Sequence, residues 1–162
     1  MWYADGMQKP PLLVSLCLLG QNCRYNASCV PLPLQSELEK CYELVGVCPE
    51  ILGGLPTPRS SAELVDGRVR TQAGQDLTQV FMEGARKALK IAQEKGCTQA
   101  LLMNRSPSCG LGMVYDGTFQ GNLVPGNGVF ADLLLQEGFT LVAASQASLL
   151  LPEQKNVPDR EP

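Results

Sequence analysis

Residues 76–103, DLTQVFMEGARKALKIAQEKGCTQALLM, carry the pattern on which the fold reading turns. Leu77, Val80, Phe81, Ala85, Ala88, Leu89 and Ala92 fall along one face of a helix running from Asp76 to about Lys95. Gly96 stands where that helix must end, because glycine accepts the left-handed backbone of a C-cap. The apolar run Ala100–Met103 follows as a strand. An amphipathic helix feeding an apolar strand is half of a crossover unit, and it points to an α/β architecture.

The same alternation extends in both directions. Leu12–Leu16, after Pro10 and Pro11, reads as a first strand ending on Cys17. Glu43–Val47 reads as a second, ending on Cys48, and Thr140–Ala143 as the last. Ser36 with Glu39 three residues on fits a capping box for a short helix over Glu37–Cys41. Val129–Gln136 fits another helix, closed by Gly138.

Between these elements lie breaker-rich stretches. Residues 18–33 and PEILGGLPTPRSS at 49–61 read as loops, and the glycine-rich 110–128 segment permits tight turns. In AELVDGRVRT, two extended pieces flank Asp66-Gly67, a strong hairpin signal. The expected fold is one α/β domain over 12–144, Rossmann-like, with a mainly parallel sheet flanked by helices and a small hairpin excursion. A flexible extension is expected over 1–11 and a polar, flexible tail over 145–162.

Composition narrows the function classes. The 162 residues suffice for one domain with a real core. A net charge of −3 supplies no basic field for a polyanion, so no nucleic-acid partner is expected. The apolar run near the N-terminus is too short to span a bilayer and lacks a cleavage pattern, so a cytoplasmic protein without a membrane partner is expected. Nothing sets an oligomeric state, and a monomer is the default. Histidine is absent, which removes the commonest neutral-pH base and the commonest nitrogen ligand.

Seven cysteines in a chain long enough to fold without staples read as free thiols or metal ligands. Cys17 and Cys48 directly follow strands, and Cys109 lies in the loop beyond a third. In open α/β sheets ligands bind in the crevice beyond the carboxyl ends of the strands, so three cysteines remote in sequence meet there. Three thiolates suit a soft metal, zinc or an iron–sulfur cluster, and discriminate against magnesium and calcium. The ordinary alternative is that each is a small buried hydrophobe, which is the reading for Cys41 and Cys97. Cys23 and Cys29, in the first long loop, are candidates for a fourth ligand or a disulfide.

The same three loops supply other groups. Glu50, two residues after Cys48, is placed to move protons at such a centre, against the usual fate of an exposed carboxylate. Ser106 and Ser108, around Pro107, either hydrogen-bond a substrate or cap the turn. Arg24, Arg59 and Arg105 are candidate anion binders, each otherwise a surface charge. No GxGxxG after a strand and no phosphate loop occurs, so no nucleotide cofactor is expected.

SLCLLGQNCRY around Cys17, GVCPEILGGLPTPR around Cys48, NRSPSCGLGMVYDGTFQG around Cys109 and the later VPGNGVFADLL carry a resemblance. Together they resemble the small bacterial family long called domain of unknown function 523, whose members similar to thiouracil desulfurase bind a [4Fe-4S] cluster through three cysteines. The resemblance covers about Leu12 to Ala144. It implies Cys17, Cys48 and Cys109 as cluster ligands, with Glu50 and Ser106 assisting removal of sulfur; Ser108, Arg24 and Arg59, read from their places in the same loops, are the expected substrate-binding residues. The implied activity is non-redox desulfuration of a thiolated pyrimidine such as 2-thiouracil, or another small sulfur-bearing substrate, with release of sulfide. The stretch RYNASCV lacks the glycine-rich continuation common in the family, which bears on the rim over Asn26–Val30 and hence on substrate identity. A non-catalytic iron–sulfur sensor or carrier and a zinc-binding structural protein are the alternative readings.

Overall fold

Leu12, Leu13 and Val14 are apolar at successive positions, so both faces of the strand they form must be covered. The computed structural model, which describes residues 8–152, shows how. Strand β1 (Pro11–Ser15) lies between β2 (Glu43–Val47) and β5 (Gln99–Leu102), and β8 (Thr140–Ala143) lies beyond β5. All three pairings are parallel, with Leu13 opposite Val45 on one side and Ala100 on the other. Leu13, Ala100 and Leu102 pack under α3 (Thr78–Glu94) and α4 (Val129–Gln136) with Ala85, Ala88, Phe130 and Leu134. Leu12, Val14 and Leu101 face the opposite layer, formed by Leu18, Leu38 of α1 (Gln35–Cys41), Ala147 and Leu150. The result is one α/β domain, a four-stranded parallel sheet between two layers.

Two antiparallel hairpins extend from this body: β3 (Ala62–Val65) with β4 (Arg68–Thr71), and β6 (Met113–Tyr115) with β7 (Leu123–Pro125). The first turns at Asp66-Gly67, where both residues have positive φ, the geometry that a two-residue hairpin turn requires. The second lies in the glycine-rich segment that reads only as turns. Its strands are three residues long, too short for alternation to stand out among the glycines.

The structure corrects other expectations. Strand β1 stops at Ser15, because Leu16–Leu19 close into a 3₁₀ turn that contains Cys17. Helix α1 begins at Gln35 without a side-chain cap, so Ser36 is inside it and forms no capping box. The 49–61 stretch is not all loop: Pro49–Leu52 form a short helix, α2, with Pro49 at its first position, where a missing N–H costs nothing. Residues 144–150 form 3₁₀ turns that bury Ala147 and Leu150, so the ordered chain continues past the expected boundary at 144. The expectations for residues 1–7 and 153–162 lie outside the described residues.

Helix α2 is held by close approach to α3. A Cβ built on Gly84 would lie 1.9 Å from the carbonyl oxygen of Pro49, and one on Gly53 would lie 2.5 Å from that of Val80. Backbone cannot yield as a flexible side-chain tip does. Gly84→Ala is therefore expected to lower stability by about 1–3 kcal/mol through overpacking, although alanine favours a helix by its intrinsic propensity. Urea unfolding measures the balance; an unchanged or raised midpoint would show that the two helices separate at little cost.

Candidate functional site

The order β2-β1-β5-β8 places a switch point beside β1, because the chain leaves β1 toward β2 on one side and later returns to β5 on the other. Crevices form beyond the carboxyl ends of strands at such a point. A cavity of about 630 Å³ lies there, and Cys17, Cys48, Cys109, Glu50, Ser106 and Ser108 line it. Arg24, Arg59 and Arg105 line it too.

Each segment is fixed by a distinct device. Cys48 directly follows β2 and caps α2, so the Gly53 and Gly84 contacts hold both it and Glu50. The Cys109 loop is held by α4, whose unpaired N-terminal N–H groups need acceptors. Val129 N–H donates to Pro107 O at 2.9 Å, and Phe130 and Ala131 N–H donate to Ser108 O at 2.8 and 3.1 Å. A Cβ on Gly128 would lie 2.4 Å from the Ser108 carbonyl carbon, so only glycine allows this approach. Arg105, immediately before the loop, has φ +63°, a conformation held by the surrounding structure.

Glu50 is the centre of the polar network. Its Oε1 accepts Arg59 Nε–H at 3.0 Å and Nη2–H at 2.9 Å, and its Oε2 accepts Ser108 Oγ–H at 2.9 Å. The Glu50 and Arg59 side chains are 13% and 6% exposed, so this ion pair is largely withdrawn from solvent. Arg59 also donates to Cys23 O, Pro56 O and Thr57 Oγ1. A guanidinium has five N–H donors, and all five are used. Arg59 thus positions Glu50 and braces the loops, with no donor left for the substrate contact expected of it. Ser106 Oγ accepts the N–H groups of Ser108 and Cys109 at 3.1 and 3.0 Å, leaving its O–H facing Ser108 Oγ at 3.0 Å. Arg24 makes only a long 3.5 Å contact to Ser28 Oγ, and its guanidinium stands 6.0 Å from the centre of the Tyr25 ring.

Some of the site is not readable from sequence. Ser15, buried at the end of β1, accepts Met103 N–H at 2.9 Å and lines the cavity with Cys109. Its only sequence signal is a lone hydroxyl in an apolar run. Asn104, whose Oδ1 is buried without a partner, lines the cavity with Tyr115 and Phe119, which come from the unread second hairpin. Cys23 lines it as well, and its carbonyl takes a long 3.9 Å contact from Cys48 Sγ. Cys97 packs in the apolar core and Cys41 is buried on α1, as expected.

Three of the cavity thiols, those of Cys23, Cys48 and Cys109, are held toward protonation. Burial pushes Cys109 up to about 12, the hydrogen bond with Cys17 takes Cys23 up to about 11, and the bond with Cys23 followed by burial raises Cys48. A soft cation bound there would release those protons, gaining charge neutralisation at buried sulfurs. Among the described residues no three His, Cys, Asp or Glu side chains are arranged to share one metal ion. Three cysteines around one cavity are the donor type that an iron–sulfur cluster takes, since its thiolates attach to different irons. No helix among the described residues is long and apolar enough to cross a membrane.

Comparison with known proteins gives concordant results. The sequence model of a family described as 2-thiouracil desulfurase matches residues 12–146. The uncharacterised protein YbbK of Bacillus subtilis (strain 168) is 39% identical over 150 residues, covering 86% of this chain and 99% of that protein. Among solved structures, the [4Fe-4S]-dependent thiouracil desulfidase TudS (DUF523Vcz) matches with a TM-score of 0.80 and 37% identity, over 88% of this chain and 95% of that one.

Proposed function

The chain belongs to the 2-thiouracil desulfurase family, and from that premise we propose that it removes sulfur from a thiolated pyrimidine such as 2-thiouracil, using a [4Fe-4S] cluster on Cys17, Cys48 and Cys109. The observation that carries this reading is the convergence of those cysteines with a fixed, largely buried Glu50 in one cavity. The overall change is exchange of C=S for C=O, with water consumed and hydrogen sulfide released. Carbon keeps the same number of bonds to heteroatoms, so no electron donor or acceptor is required.

Cys17, Cys48 and Cys109 would hold the cluster, which would supply soft Lewis acidity toward the leaving sulfur. Proton handling falls to the chain. Water attacking the thiocarbonyl carbon must lose a proton; with no histidine, the two cavity carboxylates are the candidates, and Glu50 takes the role because Glu63 Oε1 is committed to the Gly117 and Phe119 N–H groups. Arg59 holds Oε1, which leaves Oε2 to exchange protons with Ser108, and Ser108 with Ser106. Ser106 has its lone pairs committed to two backbone N–H groups, so it acts as an O–H donor toward Ser108 or the ring. Arg24 stands at the cavity with donors to spare for a ring carbonyl.

The test is anaerobic reconstitution with iron and sulfide, followed by incubation with 2-thiouracil. Equal amounts of sulfide and uracil are expected, with no external reductant. A fully loaded protein that releases no sulfide from any thiolated pyrimidine would overturn the reaction and leave the sensor or carrier reading. A protein that takes up no cluster would overturn the centre itself.

A further inference from the structure

Of the four phenylalanines in the chain, Phe81, Phe130 and Phe139 are buried in the apolar clusters of the core. Phe119 belongs to none of those clusters, is only half-buried, and lines the cavity that Cys17, Cys48 and Cys109 share. The turn that carries it is tightly built. Glu63 Oε1, on β3, accepts the N–H groups of Gly117 and Phe119, both at 3.0 Å. Asp116 Oδ1 accepts the N–H and O–H of Thr118 at 3.0 and 2.6 Å. A Cβ on Gly117 would lie 2.8 Å from the Val65 Cβ, so the turn sits directly on β3. Phe119 itself has φ +60°, a left-handed backbone that a bulky side chain adopts only where its surroundings impose it. The fold thus spends a carboxylate and a strained backbone on holding one aromatic ring at the cavity.

Apolar area kept out of the core gains its stabilisation when a ligand covers it. The hydrogen-bonding groups on the same cavity, among them Glu50, Arg24 and Ser106, can serve only the edge of a flat ring. Its plane needs a different partner. A phenyl ring meets that need, because heteroaromatic bases and aromatic side chains stack face against face. Resting on the desulfuration reading above, we propose that Phe119 stacks on the plane of the thiolated ring and selects planar, unsaturated substrates, with Glu63 as the positioning residue that holds it there.

The test is calorimetric binding of uracil and of 5,6-dihydrouracil to the anaerobically loaded protein, with iron content and sulfide release from 2-thiouracil measured on the same samples. The two rings carry the same C=O and N–H groups, but the second is saturated and puckered and so stacks poorly. Wild type is expected to prefer uracil, and Phe119→Leu, which keeps an apolar side chain without a π-face, should weaken uracil binding roughly 5- to 20-fold. Its affinity for dihydrouracil and its iron content should match wild type. Phe119→Tyr should restore the preference. Glu63→Ala should weaken uracil binding in wild type and add little in the Phe119→Leu background. A preference for uracil that survives in Phe119→Leu, or one abolished by Tyr115→Leu instead, would overturn the stacking role. Equal losses from Glu63→Ala in both backgrounds would overturn its positioning role. A preference lost in Phe119→Leu, with no sulfide released by wild type, would support stacking and overturn the reaction alone. Failure of wild type to bind either ring would overturn stacking, and sulfide release by the same sample would leave the reaction standing.

Discussion

Glu50→Gln is expected to lower turnover of 2-thiouracil by roughly 10²–10⁴-fold at matched cluster content, the range for loss of a general acid–base group. Glutamine keeps the shape and, with its amide oxygen accepting from Arg59, turns its NH2 toward Ser108 Oγ as a donor, but it cannot take a proton from attacking water. No other group replaces it readily. The chain has no histidine, Arg59 beside Glu50 is a permanent cation, and Glu63, the other carboxylate on the cavity, has its Oε1 committed to the Gly117 and Phe119 N–H groups. The iron and labile sulfide contents of the variant should match wild type, because Glu50 is two residues from Cys48 and supplies no sulfur ligand. Anaerobic assays following sulfide and uracil together decide the matter: turnover within a few-fold of wild type would remove Glu50 from proton transfer.

Arg59→Ala is expected to cost about 3–5 kcal/mol of folding stability, because it strands a largely buried carboxylate. The same substitution in a Glu50→Gln background should cost clearly less, since the neutral amide needs no counter-charge. It should not become free. Arg59 also braces the carbonyls of Cys23 and Pro56 and the Thr57 hydroxyl, and each such hydrogen bond contributes about 1 kcal/mol. Urea unfolding of the four proteins gives the coupling directly. Additive costs would show that the pair is energetically silent despite its 2.9 Å contact. Kinetically, Arg59→Ala should act through Glu50 and reduce kcat more than it raises KM, because all five donors already serve the protein. A change confined to KM would return Arg59 to direct substrate contact.

The local grammar of the sequence determined the elements whose signals are short-range. Strand β2 at Glu43–Val47, helix α4 at Val129–Gln136, strand β8 at Thr140–Ala143 and the turn at Asp66-Gly67 all follow from periodicity or turn chemistry within a few residues. The parallel arrangement follows from strands separated by helices. Where a local signal has two meanings, sequence misleads. Pro49 breaks a helix in its interior but starts one at its first position, and Ser36 fits a cap yet lies within α1. The glycines of 110–128 mark turns and conceal the short strands between them.

The candidate site divides in the same way. That cysteines following strands meet in one crevice is a consequence of topology, and the order of the strands is legible enough to anticipate it. Which atom each polar group serves is not. Ser108 reaches Glu50 from 58 residues away, and Arg59 reaches the Cys23 carbonyl from 36 away. No periodicity encodes those partners. They depend on α4 clamping the serine loop and on Gly84 letting α2 approach α3 to backbone contact. Sequence alone thus determined the scaffold and the residue types of the centre, because burial and hydrogen bonding along a chain are local rules. Only the tertiary structure decided that Arg59 orients Glu50 and that Cys23 joins Cys17 and Cys48 on one cavity, because that arrangement exists only after distant loops are packed together.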